Sequence, residues 1–103
     1  MSSERPPVSQ ARLLEHGVRL SIVALLARYD EISFSRLKEL LDQTDGNLGA
    51  QLRKLEDAGL ISVRKEFRDR RPVSWYGITR RGRRTLRAHL DVLRAVIRLA
   101  DPT

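Results

Sequence analysis

Asn47, Ala50, Gln51, Arg53 and Lys54 have the side-chain types and the spacing to touch the edges of stacked bases. An asparagine or glutamine carboxamide sets a donor beside an acceptor and so matches N6 and N7 of adenine, while guanidinium and ammonium groups match O6 and N7 of guanine. With Leu48 at zero and about 100° per helical residue, Leu52 and Leu55 fall within about 40° of it, and this stripe must face a core. Gly46, Asn47, Ala50, Arg53 and Lys54 then occupy the opposite face, with Gln51 at one flank and Asp57 near the far end. Glycine costs an interior helix up to ~1 kcal/mol, so Gly46 and Gly49 beside Ala50 point to a close approach by another surface. A merely solvated polar face is the alternative for any amphipathic helix.

A second group lies just downstream. Between Arg64 and Arg84 there are nine lysines and arginines against Glu66 and Asp69, while the other residues hold eleven of each sign, so this stretch carries the entire formal charge of +7. Arg68, Arg70 and Arg71 repel one another unless an anionic surface screens them. An edge-strand guard or a solubility device is the other use for such charge. Phosphates supply affinity and base edges supply sequence information, so the two groups together imply contact with double-stranded DNA. Arg80, Arg81, Arg83 and Arg84 sit at a helix start, where the macrodipole disfavours cations, and their placement reads as functional.

The elements that position these groups follow from pattern and punctuation. Residues 1–8, with Pro6-Pro7, read as a flexible arm, and residues 9–101 as one domain. From Ser9 the pattern is helical through Leu13, Leu14, Val18, Ile22, Leu25 and Leu26, with a break at Gly17. Ser35 is a candidate N-cap for a two-turn helix carrying Leu37, Leu40 and Leu41, and Thr44 or Asp45 for the next, which runs to about Ala58 and stops at Gly59. Two helices joined by a short turn make a helix-turn-helix. Leu60 to Phe67 and Val73 to Ile78 read as strands joined by a long charged loop, Arg68 to Pro72, and Thr79 caps a final helix from Arg80 to about Ala100. The expected order is α-α-α-α-β-β-α, mainly α with a small β-hairpin. Tyr76 and Ile78 share a face toward the core, which sends Trp75 to the outer face or a partner surface.

In the final helix Leu86, Leu90, Leu93 and Ile97 form one apolar stripe, and Val92, Val96 and Leu99 a second about 120° away. One small domain rarely needs both. A homodimer is therefore expected, with Leu86, Leu90, Leu93, Val96 and Ile97 of this helix as its interface residues together with Leu13 and Leu14 of the first helix, and either stripe could meet the partner. Two-fold symmetry would set the reading helices in successive major grooves ~34 Å apart on a near-palindromic site.

Other function classes find little support. The chain has no cysteine, and His16 and His89 are isolated, so no metal or other cofactor is expected. Ser33 and Ser35 lack an adjacent base and the carboxylates read as helix-surface groups, so no catalytic activity is expected. The longest apolar run, Ile22 to Ala27, is far short of a membrane span and the N-terminus lacks the apolar core of a signal peptide, so a cytoplasmic protein is expected.

The string TDGNLGAQLRKLEDAGLISVRKEFRDRRPVSWYGITRRGRRTL, preceded by VRLSIVALLARYDEISFSRLKELL, resembles the small winged helix-turn-helix transcriptional regulators related to the MarR and ArsR types, over about Val18 to Leu99. The resemblance implies a homodimeric repressor or activator, with Asn47, Ala50, Gln51 and Lys54 on the recognition helix and Arg70 and Arg71 on the wing. Gln51 stands where such proteins often have histidine, and Gly49 where serine is usual. The Cys and His ligands of metal-sensing relatives are absent, and no constellation specifies a small-molecule effector. A winged helix used for protein docking and a nonspecific nucleic-acid binder are the competing readings.

Overall fold

The computed structural model describes residues 12–101. The expected arm at residues 1–8 and the first residues of the expected opening helix lie outside that range. Residues 12–13 are helical and a turn at 14–15 follows, so the break falls just ahead of Gly17, and α1 spans Gly17–Arg28. Apolar residues lie all around this helix rather than along one stripe, so it must be surrounded. Ile22, Val23 and Leu26 are fully buried, with Val18, Leu20, Leu25 and Ala27 packed at the margin of the core.

A two-residue strand, β1 at Ile32–Ser33, comes next. It is too short for alternation to signal, and it adds a third strand to the expected hairpin. Where it ends decides the following cap. Ser33, extended at φ −74°, ψ 158°, precedes α2 at Phe34–Leu41, and its Oγ accepts the Arg36 N–H at 3.1 Å. Ser35, the expected cap, lies inside the first turn instead. Helix α3 spans Asp45–Asp57, with Thr44 Oγ1 accepting the Asn47 N–H at 3.1 Å. Gly59, at φ 76°, stops it in the left-handed conformation that glycine adopts without strain.

Strands β2 (Ile61–Arg68) and β3 (Arg71–Ile78) pair from Ile61↔Ile78 to Arg68↔Arg71. The long loop expected between them is a two-residue turn, Asp69–Arg70, with φ of 53° and 66°. Positive φ at both central positions matches the twist of the flanking strands, which lets pairing continue to the tip. The antiparallel sheet has the order β1-β3-β2, with Ile32 opposite Tyr76 and Ser33 opposite Trp75. Tyr76 and Ile78 pack against the core, as expected from their shared face.

Helix α4 spans Arg80–Ala100. Its cap is also a joint: Thr79 Oγ1 accepts the Gly82 N–H at 3.0 Å and donates to the Gly59 carbonyl at 2.7 Å. Every element reaches one cluster, including Leu26 of α1, Ile32 of β1, Leu37 of α2, Leu48, Leu52 and Leu55 of α3, Ile61 of β2 and Leu86 of α4. Two residues expected at a dimer surface belong to this core, because Leu14 is fully buried and Leu86 only 6% exposed. Leu13 and Leu90 are half-buried against the same cluster, and Leu93 is half-buried. Beyond Leu93 the helix outruns the domain. Val92, Val96, Ile97 and Leu99 are exposed, the last at 87%, so both stripes are uncovered at this end.

Candidate nucleic-acid interface

Burial of Leu48, Leu52 and Leu55 fixes the rotation of α3, and Asn47, Ala50, Arg53 and Lys54 are exposed on its far side. Between them runs a shallow depression lined by Asp45, Gly46, Gly49, Ala50, Arg53, Lys54 and Asp57. Among the described residues, a Cβ added at Gly46 or Gly49 would meet no atom within 4 Å beyond the helix's own backbone. Neither glycine is therefore required by packing inside the chain, although each weakens the helix by up to ~1 kcal/mol. Asp45 puts a carboxylate at the N-terminus of α3, favourable to the helix dipole, and Lys38 of α2 pairs with it at 2.9 Å. Thr44 is exposed and committed to the cap.

Gln51 departs from expectation. It is only 7% exposed. Its Oε1 accepts from Arg19 Nη1 at 2.7 Å and its Nε2 donates to Asn47 Oδ1 at 3.3 Å. One flank of the outer face is covered by α1, so Gln51 acts within the protein instead of at its surface. Arg19 has no place among the expected residues. Its one signal is a charge between Val18 and Leu20 in a mostly apolar helix.

At the hairpin end Arg68, Arg70 and Arg71 are all exposed, but they are not equivalent. Arg70 occupies the turn, Arg71 pairs across from Arg68, and among the described residues neither Arg70 nor Arg71 makes an ion pair. Arg68 leans back, 3.4 Å from Glu66 Oε1 and 5.8 Å from the Trp75 ring centroid. The basic start of α4 also has internal duties: Arg83 Nη1 donates to the Ala27 carbonyl at 3.4 Å.

The winged helix DNA-binding domain family matches the sequence over residues 18–97. The chain belongs to this family. An uncharacterized protein of Methanocaldococcus jannaschii is 38% identical over 72 residues, 70% of this chain and 78% of its own length. The structure of a transcriptional regulator homologue from Pyrococcus horikoshii OT3 is similar with a TM-score of 0.80 at 36% identity, covering 87% of this chain and 89% of that one. Bacillus subtilis PadR, solved in complex with operator DNA, shares the fold with a TM-score of 0.66 at 21% identity, covering 73% of this chain and 48% of PadR. Among the described residues no group of His, Cys, Asp and Glu could hold a metal ion, and no helix is long and apolar enough to cross a membrane.

In winged-helix terms the β2–β3 hairpin is the wing, and its base carries a polar network on the face away from the core. Arg64 donates to both carboxylate oxygens of Glu31, at 3.1 and 2.8 Å, and to Glu66 at 3.0 Å. The Trp75 indole N–H donates to Glu66 at 2.9 Å, and Arg64 and Arg68 both lie over its ring, at 5.9 and 5.8 Å. Arg64 hydrogen bonds chiefly hold Glu31 below the ordinary carboxylate range, and the Trp75 indole, then Arg64, hold Glu66 there. A carboxylate whose pKa is lower in the folded chain contributes stability that is present at neutral pH and lost as pH falls through the lowered value. Trp75 is the sole tryptophan. Its emission is therefore expected to change on acidification with a midpoint below that of an ordinary glutamate. Glu66→Gln should remove the step, and a transition centred above about pH 5 would contradict the network.

Proposed function

We propose that the protein is a homodimeric, sequence-specific double-stranded DNA-binding regulator of transcription, acting as a repressor by occupying a near-palindromic operator. In this reading α3 lies in the major groove, with Asn47, Ala50, Arg53 and Lys54 toward base edges, while Arg70 and Arg71 at the wing tip meet phosphates. The observation that carries it is the outer face of α3: exposed base-matching side chains around glycines that the chain's own packing does not require. The fold shared with a regulator solved in complex with operator DNA supports duplex DNA as the partner. No catalytic step is needed for action by occupancy.

The uncovered end of α4 supports pairing. Val92, Val96, Ile97 and Leu99 expose apolar surface that a second copy would cover. Because Ile97 lies outside the core, Ile97→Asp is expected to leave the monomer folded and to halve the mass in sedimentation. An unchanged mass would remove this end of α4 from the interface.

Selection of bound duplexes from a random-sequence library, followed by titration at matched salt, tests the central reading. A preferred sequence with two related half-sites is the expected result. Equal affinity for all duplexes would leave a nonspecific binder, and no affinity even at low ionic strength would leave a docking module.

A further inference from the structure

A line of side-chain hydrogen bonds runs from α1 to the outer face of α3. Arg19 donates from Nε to the Leu13 carbonyl and from Nη1 to Gln51 Oε1, both at 2.7 Å. Gln51 Nε2 donates to Asn47 Oδ1 at 3.3 Å, Asn47 Nδ2 donates to Gln43 Oε1, and Gln43 Nε2 donates to the Leu41 carbonyl at 3.0 Å. Each of the three carboxamides is engaged at both its oxygen and its nitrogen.

The direction of this line is set at both ends. An arginine side chain can only donate, so Gln51 must give it oxygen and keep nitrogen for Asn47. A backbone carbonyl can only accept, so Gln43 must turn nitrogen to Leu41 and oxygen to Asn47. The two constraints agree on Asn47: oxygen toward Gln51, nitrogen toward Gln43. A carboxamide on an open helix face has a broad, roughly two-fold terminal torsion and would populate both orientations. Here one is selected. The bound carboxamide retains a free lone pair and a free N–H, the pair that the N6 amino group and N7 of adenine engage. Flipped, it would set donor against donor and acceptor against acceptor.

We propose that Arg19 and Gln51 are positioning residues for sequence readout, holding the Asn47 carboxamide in the one orientation that pairs with adenine in the major groove. The proposal rests on the reading of α3 as the base-contacting helix. It gives Gln51, buried and out of reach of DNA, a part in specificity, and it adds a residue of α1 to the specificity apparatus.

Gln51→Glu isolates the effect, because glutamate keeps the size and the Arg19 contact but has no N–H for Asn47. The measurement is the affinity ratio between a duplex recovered by selection and versions with single A·T pairs changed to G·C. Both Gln51→Glu and Arg19→Met are expected to lower the adenine preference at one position per half-site about tenfold, the equivalent of one hydrogen bond. Arg19→Lys, which keeps a donor, should restore it. A uniform change in affinity is the effect of the added charge and leaves the ratio intact. Should Asn47→Ala leave every base preference unaltered, the base-reading role of that residue fails and the proposal with it. Should Asn47→Ala erase an adenine preference that Gln51→Glu retains, the base-reading role stands and the positioning role is overturned. Gln51→Glu carries the test if Arg19→Met does not fold.

Discussion

Replacing Arg70 and Arg71 together by alanine is expected to weaken binding to all duplexes by a similar factor. The slope of log affinity against log salt should fall by roughly 0.9 for each phosphate that is no longer neutralised. Both side chains project from the end of the hairpin, and among the described residues neither has a carboxylate partner that would compete with phosphate. Arg68 does, through Glu66, and it also covers the Trp75 ring, so Arg68→Ala should alter the slope less. The turn geometry separates charge from folding. Arg70 holds φ at 66°, a conformation that costs a residue with a Cβ roughly 1–2 kcal/mol and glycine very little. Arg70→Gly should therefore stabilise the protein while it weakens DNA binding. An unaltered salt slope in the double variant would remove the wing tip from the interface.

Gly82→Ala should give the largest loss of stability of any single methyl added to this chain's glycines. A Cβ at that position would lie 2.1 Å from the Leu60 carbonyl oxygen and 2.8 Å from Ile78 Cγ1. Neither neighbour can yield cheaply. The Leu60 carbonyl accepts the Thr79 N–H at 3.1 Å, and Thr79 in turn bonds the Gly59 carbonyl and caps α4. To relieve the clash α4 must lift from the sheet and break that joint. Overpacking of this kind costs on the order of 1–3 kcal/mol, and breaking the cap adds about 1 kcal/mol. Urea titration should show a midpoint shift corresponding to about 3 kcal/mol, with a melting temperature lowered by at least 10 °C, roughly 4–8 °C per kcal/mol at this size. An unshifted midpoint would mean that α4 does not seat on Leu60 and Ile78 as closely as these distances require.

The long helices are legible in the sequence because their signals are strong and local. Thr44, Gly59 and Thr79 mark termini by hydrogen-bonding capacity or by positive φ, and the leucines of α3 fix which side faces outward. Ile32–Ser33 gives no such signal because two residues have no period, and their pairing depends on Trp75 and Tyr76 more than forty positions away. The hairpin turn is hard to read because Arg70 at positive φ is a poor fit to the usual turn residues, so a five-residue loop is the natural expectation. Rotation alone assigns Gln51 to the flank of the reading face. Rotation about one helix says nothing of what a second helix lays across it, and Arg19 is what covers that flank. The split among the apolar residues of α4 is hidden for a related reason: Leu86 and Ile97 share a stripe, but the domain ends between them.

The two glycines in α3 bear on how its outer face can meet another surface. A helix with reduced intrinsic preference depends on other restraints, and here the Thr44 cap, the Lys38–Asp45 pair and the bonds from Asn47 to Gln43 and Gln51 hold the first turn while its outer side stays open. In the proposed complex a groove would meet a turn that is already in place, so the glycines serve close approach and the order comes from the cap and the carboxamide line. Efforts to raise thermal tolerance by filling Gly46 and Gly49 with alanine would firm the helix, and in the proposed complex the added methyl groups would hold it away from the groove floor.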